Sequence, residues 1–367
     1  MRRRRESLQR WLGWWPQGLA LWAVLLAWAL PASAENGLDV GPVRSIRVDG
    51  RPDRFVVCDQ AGHAPVVSVM LGRRAVAVAR ALGGETVVLD PSACEPPLSA
   101  RPSVQCSVGH APQLMHIDVR LADRARRAGN GIFGERWEYR SLRLRQLSGD
   151  NVVSWVDHEV ELPLDEVFED RIVRHIDQPG TPPADSCGVG FLVIRSHVRQ
   201  GAALALYALS SSGLESRAVS EPLGTRESWR DVIGIADVVG DGRRRIVEVT
   251  EPHQAGRLQI DDIRAGRIEP ESTLDGGYTT HRFGTARQGI GALLDLTGDG
   301  IADIVVPTSD WKCLAVVTAR RGVLREVGRL SCGSALIVDV LAADLNGDNR
   351  DDLVAVRADG TIEAWFR

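Results

Sequence analysis

Through the C-terminal third of the chain, apolar runs of four to seven residues alternate with short clusters of Gly, Asp and Asn, and the 3.6-residue period of a helix is scarcely visible. The segments Ile290 to Leu294, Ile304 to Pro307, Cys313 to Thr318 and Leu324 to Leu330 predict four successive strands of one antiparallel sheet. A nine-residue acidic loop, Asp295 to Asp303, separates the first two, and the same strand, loop, strand order recurs around Asp344 to Asp352 and around Asp237 to Arg245. The loops start 58 and 49 residues apart, the length of one four-stranded unit. A repeated unit of this kind predicts an all-β β-propeller.

The N-terminal half lacks the acidic loops, but Gly62-His-Ala-Pro65 recurs as Gly109-His-Ala-Pro112, each after a cysteine and 47 residues apart. If residues 35 to 230 form divergent blades of the same length, the chain holds about seven, with six or eight also admissible. Two strands follow the last acidic loop, Leu353 to Arg357 and Ile362 to Phe366, so the final blade is one strand short. Val43 to Val48 is placed to supply it, closing the ring, and Trp365 and Phe366 then belong to the core.

Calcium takes six to eight oxygens, and loops that bind it offer side-chain oxygens at positions 1, 3, 5 and 9 and a backbone carbonyl at position 7. The first loop supplies Asp295, Thr297, Asp299, Asp303 and the carbonyl of Ile301; the second supplies Asp344, Asn346, Asp348, Asp352 and the carbonyl of Arg350. Gly300 and Asn349 at position 6 suit the left-handed turn such a loop needs. Position 12 is Val306 or Ala355, not a bidentate Glu, and strands rather than helices follow, so these are not EF-hands. The third loop has Val239 and Arg245 where oxygens belong; it is expected to bind no calcium, with the Arg245 guanidinium bridging Asp237 and Asp241 in place of the ion. The simpler alternative for the two complete loops is a solvated acidic turn.

With these motifs, residues 231 to 367 resemble the FG-GAP or VCBS repeat family, whose propeller blades, like those of integrin α-subunits, carry D-x-[ND]-x-D-G-x-x-D loops between adjacent strands. The resemblance implies two structural calcium ions and a module for protein or carbohydrate contacts, and it does not extend over residues 35 to 230.

Arg2 to Arg5 with Arg10, the apolar stretch Gly18 to Leu30 and Ala32-Ser33-Ala34 read as a signal peptide over residues 1 to 34, with an uncleaved anchor as the rival. The expected mature protein is periplasmic or secreted, with no stable membrane anchor. Removing five arginines and one glutamate takes the net charge from −4 to −8, which argues against a nucleic-acid partner. Six cysteines in an exported chain predict disulfides. The hairpin turning around Gly322-Val323 sets Cys313 opposite Cys332. Cys94 and Cys106 bracket a Pro- and Ser-rich stretch, which would leave Cys58 with Cys187.

No catalytic set stands out. Asp157-His158-Glu159 lies in a run where apolar Val160, Leu162 and Leu164 alternate with polar positions, as in a half-exposed strand. There is no nucleophile elbow and no G-x-G-x-x-G loop. A binding or scaffold module is the expectation; the alternative is an exported polysaccharide lyase or hydrolase using the propeller's central channel. A third possibility confines every feature named above to stability.

Overall fold

A computed structural model of the protein describes residues 42–58, 66–71, 73–78, 82, 88–89, 94–95, 103–106, 113–126, 131–135, 137–148, 154–177, 189–210 and 213–367. The signal-peptide segment, the repeated Gly-His-Ala-Pro and Cys187 lie outside them. Among the described residues no helix is long and apolar enough to cross a membrane.

The protein is all-β, and all the described strands but Cys94–Glu95 and Glu166–Phe168 fall into six antiparallel runs of four. In the best-patterned run, Ala292–Leu294, Asp303–Pro307, Leu314–Thr318 and Arg325–Leu330 form one antiparallel sheet in chain order, as the sequence predicts. Arg230–Ala236, Arg245–Thr250, Arg257–Arg264 and Arg267–Leu274 make the run before it. In the run after it, Ile337–Ala343, Asp352–Arg357 and Thr361–Trp365 lack a fourth strand of their own. Val43–Arg47 supplies that strand, pairing antiparallel with Thr361–Trp365.

Three earlier runs precede these. Pro52–Cys58, Val66–Leu71, Arg74–Ala77 and Val88–Leu89 form the first. Ser103–Cys106, Gln113–Arg126, Trp137–Ser148 and Ser154–Glu161 form the second, and Arg174–Asp177, Val189–His197, Gly201–Ser210 and Gly213–Ser220 the third. The runs are not isolated sheets: Glu166–Phe168 bridges the second and third, and a short parallel pairing of Val219 with Arg267 joins the third to the fourth.

Packing explains why the strands read as near-continuous apolar runs. Successive side chains on a strand point to opposite faces. Ile304 and Val306 therefore pack with Val247, Val249 and Ile260 of the preceding run, while Val305 packs with Leu353 and Ala355 of the following one. Val354 and Val356 then turn the other way, against Phe55, Val69 and Val76 of the first run. Phe191 and Val193 likewise meet Leu142 and Leu144, whereas Leu192 and Ile194 meet Val232 and Ile246. The sheets of the third to sixth runs are thus buried on both faces, whereas the second keeps a polar side that carries Arg143, Arg145, Asp157 and Glu159. Trp365 is buried in this core, with Phe366 packed at its edge.

Two cysteine expectations resolve differently. Cys313 and Cys332 are disulfide-bonded across the hairpin predicted for them. Cys58 is also disulfide-bonded, and the ladder sets it directly opposite Cys94, a register that does not follow from the Pro- and Ser-rich stretch between Cys94 and Cys106. The acidic strand behaves as its alternation implies. Asp157 and Glu159 are exposed and lie in register with Arg145 and Arg143, to which they are ion-paired at 2.7 and 3.1 Å.

Candidate functional sites on opposite ends of the sheets

In an antiparallel run, the turns after strands one and three lie at one end and the turn after strand two, with the link to the next run, lies at the other. The acidic loops all follow first strands, so they share one end.

Within each loop, backbone N–H groups converge on the first aspartate. Asp295 accepts from Gly298 at 2.7 Å, Asp299 at 3.0 Å and Gly300 at 2.9 Å. Asp344 accepts from Asn346 at 3.2 Å, Gly347 at 2.7 Å and Asn349 at 2.9 Å, which holds its carboxyl below the usual range. Asp299 and Asp348 each accept from the residue two further on, Ile301 and Arg350, at 3.1 and 2.9 Å. The ninth-position carboxylates face inward. Asp303 accepts from Leu296 and Thr297 at 2.9 and 2.7 Å, and Asp352 from Leu345 at 3.0 Å, so each closes its loop onto its strand. Gly300 at φ 82° and Asn349 at φ 63° take the left-handed conformation expected at position 6.

The loops differ in their cations. In the third copy, Arg245 grips Asp241 with both Nη atoms at 2.7 and 2.8 Å, which confirms half of the expected bridge. Its other partner is Glu271, from the fourth strand, at 2.7 Å, because Asp237 is already engaged by the N–H groups of Val239, Gly240 and Gly242. In the first loop, Arg320 places one Nη atom against Asp299, 3.3 Å from Asp303 and 3.2 Å from Thr297 Oγ1. In the second loop Asn346 donates to Asp348 at 3.2 Å, and no cationic side chain among the described residues pairs with Asp344, Asp348 or Asp352.

The oxygens of the second loop are thus clear of any cationic side chain among the described residues, whereas in the first a guanidinium is in contact with three of the five expected donors. Among the described residues, no three His, Cys, Asp or Glu side chains are grouped so as to hold a metal ion without rearrangement.

Sequence reasoning missed a site at the other end. A half-open cleft of about 310 Å³ lies between Pro252 to Gln254, Thr279 to Phe283, and Ser309 to Trp311, three links separated along the chain. His253 stacks on buried Trp229 at 5.7 Å between centroids with the rings 3° from parallel, and Phe283, 61% exposed, stands edge-on to it at 5.5 Å. Arg282 lies over the Trp311 ring at 4.5 Å. The carbonyl of Thr285 can only accept, so at 2.9 Å it fixes the proton of His281 on Nε2. His281 Nδ1 then accepts from His253 Nε2–H at 2.8 Å. Burial pushes the His281 ring down to about 4 and lowers His253 too, so this pair is neutral near pH 7. Gln254, Thr279 and Ser309 add an amide and two hydroxyls to the walls.

A larger cavity of about 520 Å³ is bounded by the first strands of three successive runs and by Arg171, Arg174, His175, Arg287 and Gln288. All three arginines are structurally engaged: Arg174 pairs with Asp170 at 2.9 Å, Arg287 with Asp339 at 2.5 Å, and Arg171 with Glu135 at 3.6 Å while it donates to the carbonyl of Trp137 at 3.2 Å. No protein-family model matches the chain, and no curated protein matches it significantly in sequence.

Proposed function

We propose that the protein is an exported β-propeller of the FG-GAP or VCBS type, with calcium bound at the Asp344 to Asp352 loop, and that it works as a carbohydrate-binding module through the aromatic cleft at the opposite end. Six runs of four strands, packed face to face from the second through the sixth and from the sixth to the first, support a six-bladed ring rather than seven, with Val43–Arg47 completing the last blade. In that ring the cavity beside Arg171 and Gln288 is the central channel.

The cleft carries the functional part. Flat rings at Trp311, Phe283 and His253 offer apolar faces to the C–H side of a sugar ring, and Gln254, Ser309 and Arg282 offer hydrogen bonds to its hydroxyls. About 310 Å³ is room for one or two sugar units. Calcium in this picture is structural: it draws in the oxygens of Asp344, Asn346 and Asp348 and offsets their mutual repulsion, far from the ligand.

The test is calorimetric titration of the purified mature protein with neutral and acidic oligosaccharides, alongside Trp311→Ala and Phe283→Ala. Binding that weakens at least tenfold in both variants is expected. No bound oligosaccharide, or binding indifferent to both substitutions, would sink the proposal. The lyase or hydrolase alternative draws on the arginine- and histidine-lined channel; new reducing ends or unsaturated products released from the same oligosaccharides would favour it.

A further inference from the structure

We infer that the Asp295 to Asp303 loop is a latent calcium site held shut by Arg320, so that the protein binds one calcium ion where its sequence offers ligands for two. This rests on calcium binding by such loops, as proposed above.

Three observations carry it. First, Arg320 Nη2 contacts donors at positions 3, 5 and 9 together: Thr297 Oγ1 at 3.2 Å, Asp303 Oδ1 at 3.3 Å and the Asp299 carboxylate. A single nitrogen in contact with all three stands where an ion would have to stand. A divalent ion there would face the guanidinium charge at contact distance, so the arginine must leave before calcium enters. Second, its position follows from the topology. Arg320 begins the turn Arg320–Gly322 between the third and fourth strands, which the up-and-down order puts at the same end as the loop after the first strand. Left-handed backbone at Arg321, φ 57°, and Gly322, φ 75°, makes the turn tight.

Third, the neighbouring runs show the same replacement and its absence. In the preceding run Arg245 neutralises Asp241 together with Glu271 of the fourth strand. In the following run the fourth strand is Val43–Arg47, so no third-to-fourth turn stands over the Asp344 loop. What approaches Asp352 there is the backbone N–H of Arg367, at 3.0 Å, while the Arg367 guanidinium lies over Gly298 of the neighbouring loop. Of three loops at equivalent positions, two carry a built-in cation and one is left to a metal.

The experiment counts ions. Mature protein stripped with chelator is titrated with calcium by calorimetry, and stoichiometry is read independently by native mass spectrometry, for the wild type, Arg320→Gln, Arg320→Met and Asp348→Asn. Expected are one ion for the wild type, two for each Arg320 variant, and a wild-type ion whose affinity falls at least tenfold in Asp348→Asn. Arg320→Met keeps the aliphatic stem, so a fold that depends on its packing survives in one of the two variants; added calcium should also raise the melting temperature of the Arg320 variants more than that of the wild type. Two ions in the wild type, or no additional ion in either folded variant, overturns the inference. No ion in the wild type with one in the Arg320 variants upholds the arginine latch and overturns calcium binding at Asp344 instead.

Discussion

Asp339 accepts the backbone N–H of Phe55 at 2.8 Å, although 284 residues separate them. The same carboxylate is gripped by Arg287 and accepts the N–H of Val340 at 2.9 Å, so one fully buried side chain ties the sixth run to the first and to the link that precedes the fifth. Removing one member of a buried charge pair strands the other, at a cost of about 3 to 5 kcal/mol. Asp339→Ala is expected to lose stability of that order in urea unfolding. Asp339→Asn, which keeps an oxygen for Phe55, should lose distinctly less. Equal losses would show that the backbone tie contributes nothing.

The C-terminal strands were legible because both faces of their sheets are buried: Ile304, Val305 and Val306 read as an uninterrupted apolar run, and the structure sends alternate members to different neighbours. Val43–Arg47 was legible as the missing strand because the last run counts only three. The Cys313–Cys332 bond followed from hairpin symmetry. What stayed hidden depends on sidedness between distant segments. Glu271 completes the Arg245 pairing from 26 residues away, and Arg320 reaches Asp299 from a turn with no motif of its own. The cleft is assembled from three links, each unremarkable in sequence, and only the up-and-down order places His253, Phe283 and Trp311 at one end. Only Trp311 carries a hint in the sequence, as one of the aromatics, with Trp137, Tyr139, Trp155 and Trp229, that could line a sugar-binding face; most of these are expected to pack between blades, and Trp229 is buried.

Replacing Arg245 tests the built-in cation of the third loop by itself. Arg245 is 2% exposed, whereas Asp241 and Glu271 remain partly in water and can recover hydration. Arg245→Met should therefore cost only about 1 to 2 kcal/mol, less than a fully buried pair. Differential scanning calorimetry in low and high salt checks this, with a smaller difference expected in high salt. Calcium should not rescue the variant, because Val239 still lacks an oxygen.

Cys313 and Cys332 enclose a loop with a sequence separation of 19, for which restriction of the unfolded chain contributes about 3 kcal/mol. The double variant Cys313→Ser, Cys332→Ser should lose about that much while keeping the hairpin, whose ladder from Leu314↔Leu330 to Thr318↔Arg325 does not depend on the bond. The variant is a cleaner probe than a reductant, since Cys58 is disulfide-bonded as well. Unfolding in guanidinium would decide it, and a loss below 1 kcal/mol would mean that the hairpin is already ordered in the unfolded state.

Asp231 gives the protein a pH dependence of known sign. It is fully buried, accepts the N–H of Gly289 at 2.7 Å, and has Arg174 3.8 Å away with Asp170 beyond. Burial outweighs the Arg174 charge and pushes the carboxyl up from 3.8 to about 7. Between those two values the folded protein holds a proton here that the unfolded chain releases, so this group favours folding fully below about pH 4 and loses that contribution as the pH rises to about 7. At about 1.4 kcal/mol per unit, the shift amounts to roughly 4 kcal/mol. Asp231→Asn carries no titration and keeps an oxygen for Gly289. Relative to wild type it should therefore gain stability progressively from pH 4 to 7 and hold that gain above. Urea unfolding of both proteins at pH 4.5, 5.5, 6.5 and 7.5 reads the difference directly. A difference that stays flat across the series would mean that Asp231 is ionised throughout, with Arg174 close enough in solution to hold its charge.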